Sequence, residues 1–219
     1  MAAQPNKEQF SGGLAKILEE QWQVDVRLKA GGDSDEGSAI SVHKVILASR
    51  SEVFKKILES DEVKISAEKV ETVTLSEMKQ GELEAFVEFI YSDGSLLSAK
   101  MKQHVGSLYL AADKYVILHL LDLCRSELLS TLSPENALDF LELAQIPDDK
   151  ILNDAAFGVI KTNISTIASS EKFKVFVKGN PDLAVEIMKA SLASPPMDQR
   201  YCKRCRTTSL SCFYCGDRL

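Results

Sequence analysis

Four cysteines near the C-terminus have the types and spacing that point most directly to chemistry. Cys202, Cys205, Cys212 and Cys215 form two Cys-x-x-Cys pairs six residues apart. Two such pairs can supply four thiolates to one tetrahedral zinc ion, although a zinc ribbon usually has a longer stretch between its pairs. In a basic segment that follows Ser194-Pro195-Pro196 and has few apolar residues, the same thiols also read as free and reduced. A redox pair is disfavoured, because no strand precedes either Cys-x-x-Cys. No metal and no other cofactor is assigned at this level. Three histidines remain. His43 stands where a strand turns into a helix, so its expected task is a hydrogen bond to backbone at that corner. His104 and His119 read as surface or boundary residues.

Catalysis would need a base beside a nucleophile, converging carboxylates or a phosphate cradle. The chain has no Gly-x-Ser-x-Gly, P-loop, dinucleotide fingerprint or two-histidine metalloprotease helix. Its Asp and Glu residues are scattered over solvated helix faces, so the expectation is a non-catalytic protein. A net charge of -6 and a pI near 5.2 argue against nucleic acid as a partner, since a phosphate-binding face must be clustered and basic. No apolar run is long enough to span a membrane, and "MAAQPNKEQF" lacks the apolar core of a signal peptide. Only Cys124 lies in the first 200 residues. The expected location is therefore the cytoplasm, the nucleus or both. Asn163-Ile164-Ser165 forms a glycosylation sequon that is expected to be silent in a chain that is not secreted.

The elements that would position these residues follow from periodicity. After a helical lead, "LAKILEEQW", residues Val24 to Lys29 alternate apolar and polar as a strand with one buried face does. "AGGDSDEGS" makes a turn, and Ile40 and Val42 return as a second strand to complete a hairpin with a long tip. "SVHKVILASRSEVFKKIL" predicts two short consecutive helices, the second capped by Ser51. "TVTL" reads as another strand, and "GELEAFVEFIY" carries a strong amphipathic stripe. Beyond it the pattern is wholly helical. Ser133, Pro134 and Glu135 read as a cap, a first helical position and a dipole partner, and Asn180-Pro181-Asp182 opens the last helix.

Taken together, "DVRL", "ISVHKVILASRSEVFKKIL", "VTLSEMKQGELEAFVEFIYSDG" and "LYLAADKYVILHLLDLCRSELLSTL" resemble a complete BTB/POZ domain, with all motifs in the expected order. "LSPENALDFLELAQIPDDKILNDAAFGVIKTNIS" resembles the start of a helical BACK extension, and the whole is similar to short plant BTB/POZ proteins. The resemblance implies an α+β fold, a small sheet flanked by helices, followed by an all-α extension. The expected organisation is a lead helix over 1–19, a BTB/POZ domain over 20–131, a BACK-like extension over 132–193 and a cysteine-containing tail over 194–219. It also places Val45, Ile46, Phe54 and Ile57 in the core.

The function implied by the resemblance is association. BTB domains commonly pair with themselves or with other BTB chains, and many hold a protein substrate beside a cullin-3 ubiquitin ligase, where tethering raises the effective concentration of substrate lysines. Asp25 and Lys44 match the acidic and basic members of a charged pocket near the family's dimer interface. Leu14, Ile17 and Leu18 of the lead helix are expected to face a partner in that dimer. The loop after "VFKKIL", residues 59–70, offers Val63-Lys64-Ile65 to the cullin, with Ile65 where many cullin-binding members carry Glu. Tyr109 is a further residue expected to face the cullin. The reading is a substrate adaptor with a target not identifiable from sequence; the alternative is a scaffold or transcriptional cofactor that acts by oligomerising alone.

Overall fold

The computed structural model describes residues 4–31, 38–59 and 71–192, with side chains from residue 12 onward. Helix α1 (Gln4–Glu19) leads into strand β1 (Val26–Ala30), then β2 (Ile40–Val42), α2 (Lys44–Arg50), α3 (Glu52–Glu59) and β3 (Glu71–Leu75). β1 is the central strand of a three-stranded sheet in the order β2-β1-β3. It runs antiparallel to β2, with Val26 opposite Val42 and Leu28 opposite Ile40. This is the hairpin that the alternating sequence predicts, beginning two residues later than expected. β1 also runs parallel to β3, with Leu28 opposite Val73 and Ala30 opposite Leu75. A parallel pair requires a crossover, and α2 and α3 lie in the connection between β2 and β3. The chain leaves β1 through Gly31, where a Cβ would stand 2.3 Å from the Cα of Ser76. Only glycine allows two backbones to approach this closely.

Four helices complete the mixed part: α4 (Gln80–Tyr91), α5 (Ala99–Gln103), α6 (Val105–Lys114) and α7 (Leu118–Thr131). The core gathers the inward faces of the sheet and of these helices, with Leu28, Leu47, Phe54, Leu83, Phe86, Ile90, Leu108, Tyr109 and Leu120 all fully buried. Phe54 stacks on Tyr115 with ring centroids 4.4 Å apart, and Phe86 meets both rings at a tilt. Ser51 makes this junction polar on one side only. Its hydroxyl donates to the Tyr115 carbonyl at 2.6 Å and accepts the Phe54 N–H at 3.1 Å, which caps α3. The expectation that Val45 lies in the core is corrected, because it is 72% exposed. α2 has only two turns, and a side chain two positions on points to nearly the opposite side, so the residue buried there is Leu47.

Helices α8 (Ala137–Gln145) and α9 (Lys150–Thr162) follow. Ser133 does not cap α8 as expected. Residues 134–136 form a turn closed by the Ala137 N–H on the Ser133 carbonyl at 3.0 Å. Asn136 locks that turn, with Oδ1 accepting the Ser133 N–H at 2.7 Å and Nδ2 donating to the Thr131 carbonyl at 2.8 Å, and helix begins only after it. The chain divides into two compact units at Val159–Ile160, inside α9. In the second unit, α10 (Ile164–Ala168), α11 (Glu171–Gly179) and α12 (Pro181–Leu192) bury Ile167, Phe176, Ala184 and Ile187. Ser170 caps α11 by accepting the Phe173 N–H at 3.1 Å.

Among the described residues, three helices end in Schellman motifs without glycine at the left-handed position. Gln21, Val116 and Asp148 take that place, with φ of 51°, 54° and 53°. At the end of α6, the Val116 N–H donates to Asp113 O at 3.0 Å and the Ile117 N–H to Ala112 O at 2.8 Å. A β-branched residue is the least suited to this conformation, at a cost of about 1–2 kcal/mol. Val116 is exposed, so Val116→Gly loses little packing. After the added entropy of a more flexible unfolded chain, the variant is expected to gain about 0.5–1 kcal/mol, read as a rise of roughly 2 °C in thermal midpoint.

Candidate interaction site

The corner between β2 and α2 is built around His43, which is buried with Tyr91. A carbonyl can only accept, so the Nε2–H of His43 donates to Trp22 O at 2.7 Å, and Nδ1 accepts the Tyr91 hydroxyl proton at 2.6 Å. The same hydroxyl oxygen accepts the His43 backbone N–H at 2.9 Å. Burial pushes the Tyr91 phenol up to about 12, so it stays a donor throughout the working pH range. His43 thus ties the end of α1, the start of α2 and the end of α4 into one joint and is not free for acid–base chemistry. His104 lies between α5 and α6, and the exposed His119 ring is hydrogen-bonded to the Gly94 carbonyl.

Asp25 and Lys44 are neighbours, but their contact runs through backbone. The Lys44 N–H donates to Asp25 Oδ1 at 2.7 Å, where the carboxylate also faces the positive end of α2. The Lys44 ammonium turns instead to Glu71 at the start of β3, with Nζ 2.6 Å from Oε2. The Glu71 side chain is only 11% exposed, and although the Lys44 ammonium is in ion-pair contact with Oε2, neither carboxylate oxygen receives a well-directed hydrogen bond among the described residues. Removing the Lys44 charge therefore strands a largely buried carboxylate, whereas Asp25→Asn keeps an oxygen in the capping position. A double-mutant cycle of Lys44→Gln with Glu71→Gln is expected to show about 1 kcal/mol of coupling, and one of Lys44→Gln with Asp25→Asn less than about 0.5 kcal/mol. Chemical denaturation of the four single and double variants checks this.

In the lead helix, Leu14 and Leu18 already have a surface within their own chain. Both pack against the core where α1 lies on α4, and Ile17 is half-buried. Leu18, Ile40, Val87 and Tyr91 line a groove of about 710 Å³ beside these helices, together with charged residues of both signs, among them Glu88 and Lys100.

Tyr109 is fully buried on α6, so it offers no surface to a cullin, and that expectation is corrected. The reason lies forty residues further on. Tyr109 Oη donates to Asp149 Oδ2 at 2.7 Å, and Arg125 Nε of α7 donates to the same oxygen. Asp149 Oδ1 accepts the N–H groups of Ile151 and Leu152 at 3.1 and 3.3 Å and so caps α9. Burial alone would raise the Asp149 pKa, but the Tyr109 hydroxyl and the Arg125 guanidinium outweigh it and hold the carboxyl below its usual value. One carboxylate thereby fixes the α8–α9 corner to α6 and α7. Outside this joint the corner presents two large apolar side chains, Ile146 at 67% and Ile151 at 61% exposure. Sequence reasoning missed this pair; the available signal was an isoleucine on each side of Pro147-Asp148-Asp149-Lys150, a turn followed by a helix cap and the first helical residue. Val63, Ile65 and the four tail cysteines lie outside the described residues. Among the described residues, no His, Cys, Asp and Glu side chains group in a way that could hold a metal, and no helix is long and apolar enough to cross a membrane.

The described residues thus combine a buried hydrogen-bonded scaffold with exposed apolar side chains at the α8–α9 corner. The BTB/POZ domain family matches residues 14–132. The BTB/POZ domain-containing protein At5g48510 of Arabidopsis thaliana is 67% identical over 216 residues, which cover 98% of this chain and 95% of the relative. A second BTB/POZ domain-containing protein of that plant, At2g40450, is 63% identical over 206 residues, or 94% of this chain and 98% of the relative. Sheet, helices and matched span agree, and the chain belongs to the BTB/POZ domain family, whose members are protein-interaction modules.

Proposed function

We propose that the chain is a substrate adaptor of a cullin-3 ubiquitin ligase. It performs no chemistry itself and holds a target protein where the ligase can reach its lysines, so its contribution is effective concentration. The observation that carries this reading is the α8–α9 corner. Directly after the BTB span, two exposed isoleucines are held by the buried Tyr109–Asp149–Arg125 joint, so an apolar contact there requires no ordering of backbone. Val63 and Ile65 of the 59–70 loop are proposed as the second part of the same contact.

Ile65, standing where many cullin-binding members carry Glu, favours a second reading: a scaffold or transcriptional cofactor that pairs with itself or with other BTB chains and recruits no ligase. Calorimetry with the N-terminal domain of cullin-3 separates the two. A saturable complex supports the adaptor. No heat and no co-elution at tens of micromolar removes it and leaves the scaffold.

A further inference from the structure

Helix α12 carries an apolar stripe that is exposed along its length. Pro181, Val185, Met188 and Leu192 follow one another at steps of four, three and four residues, and all are exposed, Val185 by 41%, Met188 by 49% and Leu192 by 83%. Ala184 and Ile187 of the same helix are buried. Alternating steps of three and four give the narrow seam of two paired helices, whereas a helix laid on a globular core shows a wider apolar face. The core beneath the stripe is small. Ile160, Ile167, Phe176, Ala184 and Ile187 are the buried apolar side chains among the described residues of this unit. A unit with so little core commonly completes it by association.

The charges beside the seam select its occupant. Asp182 and Lys189 flank the stripe on one side, near opposite ends of the helix; both are exposed, and neither makes an ion pair among the described residues. In a parallel pair this flank would face the other copy's Ala184 and Ser191, which carry no charge. An antiparallel copy, related by a two-fold axis, sets Val185 opposite Met188 and Pro181 opposite Leu192, and brings each Asp182 beside the Lys189 of the other chain. It also opposes the two helix dipoles. Glu186 falls further round the helix, off the seam. We propose that α12 pairs antiparallel with α12 of a second copy of this chain. The surface lies outside residues 14–132, the span matched by the BTB/POZ family, so it adds to any contact made by that domain and does not depend on recruitment of a cullin. The seam has only about three turns, so the pairing is weak by itself and gains most where copies are already held together, at effective concentrations of about a millimolar.

The test treats the full-length chain, reduced and at tens of micromolar, with a zero-length reagent that joins carboxylate to amine. Within one helix, Asp182 and Lys189 are roughly 10 Å apart along the axis, too far to be joined directly. A tryptic product made of two copies of α12 linked from Asp182 to Lys189 therefore reports the pairing, and mass spectrometry is expected to find it. Val185→Glu/Met188→Glu should lower its yield at least roughly fivefold, with helix content checked by circular dichroism. Asp182→Lys alone removes the link. Asp182→Lys/Lys189→Asp, which exchanges amine and carboxylate and keeps the apolar seam, should restore it. Absence of the product from the wild type, an undiminished yield in Val185→Glu/Met188→Glu, or failure of the exchanged variant to restore the link overturns the pairing. Links from Asp182 or Lys189 to residues after 192 in place of this product also overturn it and give the stripe to the chain's own C-terminal segment.

Discussion

Replacing Asp149 with alanine is expected to lower the unfolding free energy by about 3 kcal/mol. The cost exceeds that of a lost hydrogen bond because three groups are affected together. Arg125, mostly buried, keeps only its ion pair with the exposed Asp122, the Tyr109 hydroxyl loses its acceptor in the core, and α9 loses its cap. Tyr109→Phe removes one donor and keeps the ring, so it should cost only about 1 kcal/mol, and comparing the two variants in urea separates packing from charge. The depressed Asp149 pKa sets the pH dependence. Because the folded state holds this carboxyl below the value it has in the unfolded chain, its contribution is complete at pH values above the unfolded carboxylate range. It is lost as pH falls below that range and through the folded value. The wild type should therefore lose stability more steeply on acidification than Asp149→Asn. Parallel acid curves for the two proteins would refute the assignment.

The second large effect concerns association. If the α8–α9 corner is the cullin contact, Ile146→Asp with Ile151→Asp should weaken cullin-3 binding at least roughly thirtyfold, since truncating or charging an apolar anchor typically costs about 2 kcal/mol or more. Both side chains are more than half exposed, so the fold should tolerate the change, and an unaltered thermal midpoint checks that. Leu96→Asp, on the equally exposed connection between α4 and α5, controls for the added charge and should leave affinity unchanged. A double variant that binds as tightly as wild type would keep the adaptor reading and move the contact to the loop carrying Val63 and Ile65. Asp149→Ala offers an independent check. It loosens the corner without touching its surface and should weaken binding even at temperatures where the protein remains folded.

What the sequence determined by itself are the features encoded over short spans. Alternation in "VDVRLK" is enough for a strand, the stripe of "GELEAFVEFIY" for a helix that buries one face, and Ser51 ahead of "EVF" for a cap, because each depends on neighbours within a turn or two. The order of these motifs also carried the family, and the family carried the fold. The tertiary structure alone decided which residues face inward or outward where the local pattern is short or a distant element intervenes. Val45 and Leu47 are equally apolar, and only the packing of the two-turn α2 shows that the second is core. Lys44 stands next to His43 and near Asp25 in the family pattern, but its charge meets Glu71, which the parallel β1–β3 pairing brings alongside. Tyr109 sits on an ordinary amphipathic face, and nothing within ten residues shows that Asp149 closes over its hydroxyl. Periodicity reports that a side chain has a buried side; it does not report the partner, because the partner is supplied by chain folded back from dozens of residues away. For the same reason the exposed pair Ile146 and Ile151 became visible only once the buried joint beneath it was in place.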